Sequence, residues 1–285
     1  MLKSRVEDTT IYSKNSIRVG EKLLDLSKPK VMGIINCTPD SFYKGSRFES
    51  LKAVIQEVET QINHGVSIVD IGGNSTRPGS KKCSAEEEIL RTIPIIEAIR
   101  KEFPELIISI DTFRGKVAKD AIEVGANIIN DISGFSMDSE MLETLKRYSV
   151  PYILTHIKGN PETMQNFTQY DNIFKEISFY FSEKINVLKQ IGIKDILLDP
   201  GFGFAKTMEQ NYELLNRLED FTFLNHPIIV GFSRKSMIYK KLNITEEEAL
   251  NGTTVLNTLA LLKGAKIIRV HDVSEATQII GLLDY

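Results

Sequence analysis

Eight short apolar runs alternate with stretches of helical periodicity along this chain, and no other feature of the sequence limits the fold as strongly. The runs lie at 31–37, 67–72, 106–112, 127–132, 151–157, 195–199, 227–233 and 266–271. Runs that are apolar on both faces are typical of strands in a parallel sheet covered on each side. The helical patterns, in which apolar residues recur every three or four positions, include 51–62, 85–101, 116–124 and 173–191.

Strand and helix repeated eight times predict an α/β fold in which a parallel sheet closes into a single (β/α)8 TIM barrel. A Rossmann or flavodoxin-like open sheet is the alternative, but it usually stops at five or six strands, and no GxGxxG follows the first run. The 285 residues, 42% of them hydrophobic, are enough for one large core. We therefore predict one barrel over residues 29–285.

Residues 1–28 form a separate N-terminal segment. Two alternating pieces at 16–19 and 22–26 are separated by Gly20 and Glu21, which predicts a small hairpin. The bottom of a TIM barrel is open, so we expect this hairpin to close it. For residues 1–10 a partly ordered tail is the alternative.

Charge and cysteine content narrow the function classes. The net charge of -3 and the pI near 5.9 provide no basic field for nucleic acid. No segment approaches the roughly 18 apolar residues that a membrane span needs. Cys37 and Cys83 form no CxxC, and the N-terminus is not a charged-then-apolar leader, which argues against secretion, disulfides and a zinc site. We expect a cytoplasmic protein whose partner is a small molecule.

Polar residues occur where the predicted strands end, which is where TIM barrels carry their functional groups. They are Asn36; Ser75, Thr76 and Arg77; Asp111; Asn130 and Asp131; Thr155 and His156; Asp199; Ser233, Arg234, Lys235 and Ser236; and Arg269 with His271. Each such group costs about 1 to 3 kcal/mol if it is buried without a partner. A ring of them at one end of the barrel therefore indicates a pocket.

Three of these residues, Asp111, Asn130 and Asp199, offer two carboxylates and an amide. Together they can face the donor and acceptor edge of a nitrogen-rich heterocycle. For Asp111 the alternative is a helix cap, because Thr112, Phe113 and Arg114 follow it at a helix start. That alternative is weaker for Asp199, which is followed by Pro200 and Gly201.

A second group, Asn36, Arg77, Arg269 and His271, supplies the donors and the amide oxygen expected around a pyrophosphate with Mg2+. Arg77 lies in the glycine-containing stretch 72–80, which could act as a lid. The alternative for that stretch is an ordinary surface turn.

The third group is the stretch 233–236, where a strand passes into a helix. The first N–H groups of that helix favour an anion, such as the carboxylate of a second substrate. Lys235 is long enough to reach back to the ring site, whereas a solvated surface lysine is the alternative.

Two long stretches carry a family resemblance, VMGIINCTPDSF at 31–42 and IVDIGGNSTRPG at 68–79. They are similar to the opening signature and the second signature of the dihydropteroate synthase family. Further matches in the family's order and spacing are SIDT at 109–112, INDI at 129–132, DPGFGF at 199–204, GFSRKS at 231–236 and RVHDV at 269–273. The resemblance covers residues 16–285.

The resemblance implies a cytoplasmic folate-pathway transferase, a sulfonamide target, that joins 6-hydroxymethyl-7,8-dihydropterin diphosphate to 4-aminobenzoate and releases pyrophosphate with Mg2+ present. It places the pterin on Asp111, Asn130, Asp199 and Lys235, with Phe204 beside the site. It places the pyrophosphate and its metal on Asn36, Arg269 and His271. Thr76 and Arg77 would close over the reaction, and Ser236 would take the aminobenzoate carboxylate.

Charge stabilisation on the leaving pyrophosphate favours breaking the C–O bond first, after which the neutral amine attacks the pterin-methyl cation. Asp111, Arg77, Lys235, Arg269 and His271 would take part in catalysis, and we expect no single general base. The chain departs from the family's usual pattern at Thr155, Lys158 and Ala205, where Met, Gln and Gly are frequent. Thr155 would make the pterin floor more polar.

Two other readings are possible. A corrinoid methyltransferase barrel shares the Asp and Asn ring contacts but does not need Arg269 and His271. A non-catalytic pterin binder would keep Asp199 and Lys235 but lose the loop chemistry of Asn36, Thr76 and Arg77. The family and the apolar content of 249–262 also predict a homodimer; a fully buried barrel helix is the alternative for that stretch.

Overall fold

The structure is a computed structural model that describes residues 14–37, 47–74 and 83–284. Thr76 and Arg77 and the second half of the opening signature lie outside the described residues. Ten strands occur within the described ranges. They are β1 Ser16–Val19, β2 Lys22–Asp25, β3 Lys30–Asn36, β4 Ile68–Gly72, β5 Ile107–Asp111, β6 Ile128–Asp131, β7 Tyr152–Thr155, β8 Ile196–Asp199, β9 Ile228–Val230 and β10 Ala265–Val270.

Strands β3 to β10 form a closed parallel barrel in chain order, and β10 pairs with β3 to complete it. The predicted (β/α)8 fold is confirmed. The described helices are α1 Arg47–Asn63, α2 Ala85–Glu102, α3 Gly115–Glu123, α4 Glu140–Tyr148, α5 Ile173–Gln190, α6 Met208–Asn216, α7 Ser236–Leu242, α8 Leu250–Leu262 and α9 Val273–Leu283. None of these helices is both long and apolar enough to cross a bilayer.

Local capping fixes where two of these helices begin. Ser84 accepts a hydrogen bond from the N–H of Glu87, whose side chain accepts one from the N–H of Ser84. Thr207 and Gln210 form the same reciprocal pair at the start of α6. Each capping box satisfies N–H groups that the helix itself leaves unpaired, so α6 starts at a defined residue directly after the glycine-rich stretch 200–206.

The hairpin of β1 and β2 closes the bottom of the barrel, as predicted. Ile17 and Leu26 are fully buried, and they pack with Val19 against a layer of interior side chains. That layer consists of Met32, Ile68, Ile128, Ile153, Leu197, Ile229 and Ile267. Burying an Ile or Leu side chain contributes about 1.5 to 3 kcal/mol, so the hairpin stabilises the barrel as well as excluding water from it.

Two apolar runs extend beyond the strands that they contain. The run at 227–233 holds only the short strand Ile228–Val230, and the run at 151–157 holds Tyr152–Thr155. Phe232 lies outside β9 but is fully buried, and its ring centroid is 4.4 Å from that of Phe202. An apolar residue indicates burial but does not show that its backbone pairs with a neighbouring strand. These two predicted strands were therefore too long.

Candidate active site

The apolar layer at the bottom of the barrel fixes which strand residues face inward. Ile107 of β5 packs against the same layer. Side chains alternate along a strand, so residues two or four positions beyond these apolar residues face the interior as well. The polar residues brought above the layer in this way are Asn36, Asp70, Ser109, Asp111, Asn130, Thr155, Asp199 and Arg269. The sequence predicted such a ring, and the barrel assembles it at one end.

Arg269 forms the centre of one half of this ring. Its Nε donates to Oδ2 of Asp70 at 2.6 Å, and its Nη2 donates to Oδ2 of Asp111 at 2.6 Å. The same Asp70 oxygen accepts a hydrogen bond from Nδ2 of Asn130 at 2.9 Å. Asp111 and Asn130, which were assigned to the heterocycle, are therefore joined through one buried network to Arg269, which was assigned to the pyrophosphate.

Burial and charge act in opposite directions on these groups. Burial raises the pKa of Asp111 to about 7, although the guanidinium of Arg269 opposes the rise. Burial alone would lower the pKa of Arg269, but the negative charges of Asp70 and Asp111 outweigh it and raise that pKa. The guanidinium accordingly stays protonated, and Asp111 titrates close to neutral pH.

Asp70 is the functional candidate that the sequence analysis missed. TIM barrels carry their functional groups at strand ends, whereas Asp70 lies in the middle of β4, fully buried. Its signal was present nonetheless, because a carboxylate between Val69 and Ile71 in an otherwise apolar strand is costly unless it is paired.

Asp199 and Lys235 form the opposite half of the ring. Oδ1 of Asp199 accepts the N–H of Gly201 at 2.8 Å, and burial raises the pKa of this carboxyl while the Lys235 charge opposes the rise. Nζ of Lys235 donates to the carbonyl of Phe202 at 2.6 Å and lies 5.2 Å from the ring centroid of Phe204. Burial lowers the pKa of Lys235 to about 8. Lys235 therefore extends back into the barrel towards Asp199 and is not a solvated surface lysine.

His271 and Ser236 lie at the rim formed by the last two barrel strands. Oγ of Ser233 lies 2.9 Å from Nδ1 of His271 and also accepts the backbone N–H of His271 at 3.2 Å. Helix α7 begins at Ser236, as expected, but has only seven residues. Asn36 ends β3 at the same rim and is exposed.

Three polar residues at strand ends do not face the pocket. Asp131 accepts from Tyr152 and from the N–H groups of Ser133 and Phe135, so it shapes its own loop. Arg234 makes a two-point ion pair with Asp272. Asp131 follows the inward-facing Asn130 on β6, and alternation turns its side chain outward. Arg234 lies beyond the end of β9, in a turn where its φ is 54°.

His156 is the third such residue. It is buried, and its Nδ1 lies 3.1 Å from Nζ of Lys206. Burial, with the Lys206 charge adding to it, lowers the pKa of His156 well below its usual range. Burial and the Lys206 charge thus both disfavour the charged imidazole, and a neutral ring offers Nδ1 as an acceptor to the lysine.

Three inward-facing oxygen atoms are buried without a hydrogen-bond partner among the described residues. They are Oδ1 of Asp70, Oγ of Ser109 and Oγ1 of Thr155. Buried polar atoms are nearly always hydrogen-bonded, so unsatisfied oxygens on this face suit a polar ligand.

Comparison with known proteins agrees with this geometry. The family model for pterin binding enzymes matches residues 32–271. A dihydropteroate synthase of Escherichia coli is 46% identical over 263 residues, which cover 92% of this chain and 93% of the relative. The chain belongs to the dihydropteroate synthase family. It is accordingly an enzyme, a transferase.

Solved structures of dihydropteroate synthases share the fold. The Yersinia pestis enzyme in complex with a sulfonamide drug superposes with a TM-score of 0.88 at 36% identity, covering 94% of this chain and 98% of that one. The Xanthomonas albilineans enzyme with 4-aminobenzoic acid gives 0.87 at 32% identity, covering 95% and 97%. The corrinoid methyltransferase reading is thereby set aside in favour of the synthase family.

Proposed function

We propose that this chain joins 6-hydroxymethyl-7,8-dihydropterin diphosphate to 4-aminobenzoate and releases pyrophosphate in folate biosynthesis. The observation that carries the proposal is the inner ring of the barrel, where Arg269 bridges Asp70 and Asp111 opposite the pair Asp199 and Lys235. One side supplies a cation for phosphate, and both sides supply acceptors for a nitrogen-rich ring. Membership of the synthase family agrees with this division.

The pterin would lie across the inner face of the barrel. Carboxylate oxygens of Asp111 and Asp199 would accept the ring's N–H and amino groups, and Asn130 can both donate and accept. Lys235 would donate to the ring's acceptors from beside Asp199, and Phe204 would pack at the edge of the ring. The hydroxyl of Thr155, which has no hydrogen-bond partner in the described part of the chain, faces the same space.

Pyrophosphate departure would depend on Arg269 and His271. Two of the three guanidinium nitrogens of Arg269 bind carboxylates, and Nη1 has no hydrogen-bond partner within the described ranges. A cation held by two carboxylates has its position fixed before substrate arrives, and such preorganised charge stabilises the negative charge that develops on a leaving group. Arg77 would add a second cation.

Mg2+ fits these residues if substrate and water supply most of its ligands. In the described part of the chain no cluster of three His, Cys, Asp or Glu residues could hold a metal. Asn36 would then be the single protein ligand, because Mg2+ at phosphates keeps several waters and takes the rest of its oxygens from substrate. When bound, the ion would neutralise charge on the pyrophosphate.

The attacking amine needs no strong base. Aniline nitrogens are weakly basic, and the proton becomes acidic once the new C–N bond has formed. We therefore assign the chain's residues to binding and charge stabilisation: Ser236 and the start of α7 would hold the aminobenzoate carboxylate, and Thr76 and Arg77 would close over it. A sulfonamide would occupy the same subsite, in line with the drug in the Yersinia pestis structure.

Pyrophosphate release tests the proposal directly. Purified chain is incubated with the pterin diphosphate and Mg2+, with and without 4-aminobenzoate, and released pyrophosphate and dihydropteroate are quantified. We expect both products in equal amounts only when 4-aminobenzoate is present. Failure to form dihydropteroate in the complete mixture, in a folded preparation, would contradict the assignment.

A homodimer in the cytoplasm is the second part of the proposal. Helix α8 buries Leu256 and Leu261, whereas Val255, Leu259 and Leu262 are 48%, 41% and 63% exposed. The fully buried helix considered above is therefore wrong, and the exposed apolar side chains suit a second copy. Cys37 and Cys83 are both free thiols, which suits a reducing compartment.

A further inference from the structure

The loop between β8 and α6, residues 200–206, is shaped by side chains that bind its backbone. Five consecutive carbonyl oxygens, those of residues 201–205, each accept a hydrogen bond from a side chain. Lys206 binds those of Gly201 and Phe204 at 2.9 Å each; Lys235 binds Phe202 at 2.6 Å, Gln165 binds Gly203 at 3.2 Å, and Tyr170 binds Ala205 at 2.9 Å. The loop's shape therefore depends on these donors more than on its own local hydrogen bonds.

The backbone of this loop needs those side-chain hydrogen bonds. Gly201, Gly203 and Ala205 have positive φ angles of 71°, 87° and 49°. A residue with a Cβ pays about 1 to 2 kcal/mol for the left-handed conformation, and glycine loses more chain entropy on ordering than any other residue. Without these side-chain donors the stretch would sample other conformations. Three of them, Lys235, Gln165 and Tyr170, lie outside the loop, and Lys206 at its end is held by His156.

Lys206 is the most buried of the donors. It is 4% exposed, and its ammonium has three acceptors: the carbonyls of Gly201 and Phe204 and Nδ1 of His156 at 3.1 Å. Three acceptors match the three N–H groups of a protonated lysine. Burial lowers the pKa of Lys206 to about 7, while the nearby Asp199 charge opposes the change. Lys206 matches no signature that assigns it a role, and the proposed reaction does not require it.

The hydrogen bonds of Lys206 fix the part of the loop that contacts Lys235. Between its two carbonyl partners lies Phe202, whose carbonyl holds Nζ of Lys235. The second partner is Phe204 itself, whose ring lies 5.2 Å from that same Nζ. A shift of the loop would therefore move the anchor of Lys235 and the ring of Phe204 together.

We propose that Lys206 is a positioning residue for the heterocycle subsite: it fixes the 200–206 loop against His156, and so sets Lys235 and Phe204 at the geometry that binds a pterin ring. The inference deepens the proposed function and rests on it. Lys206 itself would not contact substrate. Its effect passes through the Phe202 carbonyl and the Phe204 ring.

The first test is Lys206→Met, which keeps length and apolar volume but removes the three donors. Binding of 6-hydroxymethylpterin is measured by calorimetry, and steady-state kinetics give KM for both substrates and kcat. We expect affinity and KM for the pterin substrate to worsen about tenfold, the equivalent of roughly one hydrogen bond to a charged group. KM for 4-aminobenzoate should stay within about twofold, because the Ser236 subsite does not depend on the loop.

Lys184→Met is the matched control. Lys184 also donates to a loop carbonyl, that of Gly134 at 2.9 Å, and lies over the Phe135 ring, but it supports the loop after β6. We expect it to leave pterin affinity unchanged. If wild type binds pterin and Lys206→Met binds it equally well, the positioning role is wrong and the proposed function stands. If wild type does not bind pterin at all, both are overturned.

A double-mutant cycle separates positioning from general loosening of the fold. If Lys206 acts partly through Lys235, adding Lys206→Met to Lys235→Met should weaken pterin binding by clearly less than the tenfold expected in wild type, and the remainder passes through the Phe204 ring. Effects that multiply fully would show that the two lysines act independently, and would overturn the proposed route.

His156→Phe keeps the test decisive if Lys206→Met does not fold. Phenylalanine preserves the ring that packs edge-on against Tyr180 at 4.9 Å, but it removes the nitrogen that ties Lys206 to β7. We expect faster amide hydrogen exchange in residues 201–206 and weaker pterin binding, with global stability kept. Unchanged exchange together with unchanged affinity would contradict the inference.

Discussion

Nη2 of Arg269 lies 2.6 Å from Oδ2 of Asp111, and this contact joins the half of the site suited to phosphate to the half suited to the ring. A ligand that takes the guanidinium's remaining donors also changes the field at the carboxylate, and a ligand at the carboxylate changes the field at the guanidinium. Ring binding and pyrophosphate binding should therefore be energetically coupled. Asp70, bound to the other side of the guanidinium, keeps Arg269 in place while either ligand exchanges.

Asp199→Asn should weaken pterin binding more than it perturbs folding. The substitution replaces one of the two acceptor oxygens with a donor, so a donor on the ring loses its partner at a cost of about 1 to 3 kcal/mol. Calorimetry with a pterin analogue gives the affinity, and urea denaturation gives the free energy of unfolding. Unchanged affinity in the folded variant would remove Asp199 from the ring site.

Pterin affinity should fall as the pH drops through about 7, the value to which burial raises the pKa of Asp111. The ionised carboxylate accepts hydrogen bonds from the ring, and the protonated form loses that capacity. The sign for folding is opposite. Because the folded-state pKa lies above the unfolded value, the folded state favours protonated Asp111, and this group makes the free protein less stable as pH rises from about 4 to 7.

Asp111→Asn provides the control for the pH experiment. Lys206 and Lys235 have pKa values lowered to about 7 and about 8, so they titrate in a similar range. The Asn variant removes only the Asp111 contribution. Calorimetric titrations between pH 5.5 and 8.5 should show the acidic loss of affinity in wild type and a flatter profile in Asp111→Asn; parallel profiles would assign the loss to another group.

The sequence predicted the barrel well because burial on both faces of a parallel strand leaves a direct trace in composition. Apolar composition also led to wrong strand ends, because Phe232 is as apolar as a strand residue but packs in a loop. Alternation along a strand explains the site errors. Asp131 and Asn130 are adjacent in sequence, but only Asn130 faces the interior.

Pairing across the barrel could not be predicted from one sequence. Arg269 and Asp70 are 199 positions apart, and nothing local to either residue indicates the other. The role of Lys206 could not be predicted for the same reason. Its sequence context, Ala205-Lys206-Thr207, resembles an ordinary exposed helix start, whereas its burial follows from the position of His156 on the neighbouring strand's end.

Thr155→Val should weaken pterin binding about fivefold. The change is nearly isosteric and removes only the hydroxyl, whose oxygen is buried and has no hydrogen-bond partner among the described residues. If the ring satisfies it, its loss costs roughly 1 kcal/mol. Binding and unfolding are measured side by side: a more stable variant with unchanged affinity would show that the hydroxyl does not meet the ligand.

Leu26→Ala should destabilise the fold without altering catalysis. Leu26 is fully buried between the hairpin and the bottom layer, and a Leu-to-Ala change in a core costs about 2 to 5 kcal/mol. The apolar layer separates it from the polar ring, so KM and kcat should match wild type at a temperature where both are folded. A selective rise in KM would mean that the hairpin also shapes the site.

Asp70→Asn should lower kcat more than it changes KM for either substrate. The Asn side chain retains an oxygen for Nε of Arg269 but removes one of the two charges that fix the guanidinium, whose field on the leaving pyrophosphate depends on its position. We expect a loss in kcat of about tenfold to a hundredfold, which corresponds to roughly 1.4 to 2.7 kcal/mol in the barrier.

Asp195→Asn is the matched control, because Asp195 also pairs with a cation, Lys14 at 2.6 Å, but precedes its strand at the opposite end of the barrel. Equal kcat values for wild type and Asp70→Asn would show that Asp111 alone positions Arg269, whereas an equal loss in Asp195→Asn would assign the effect to stability.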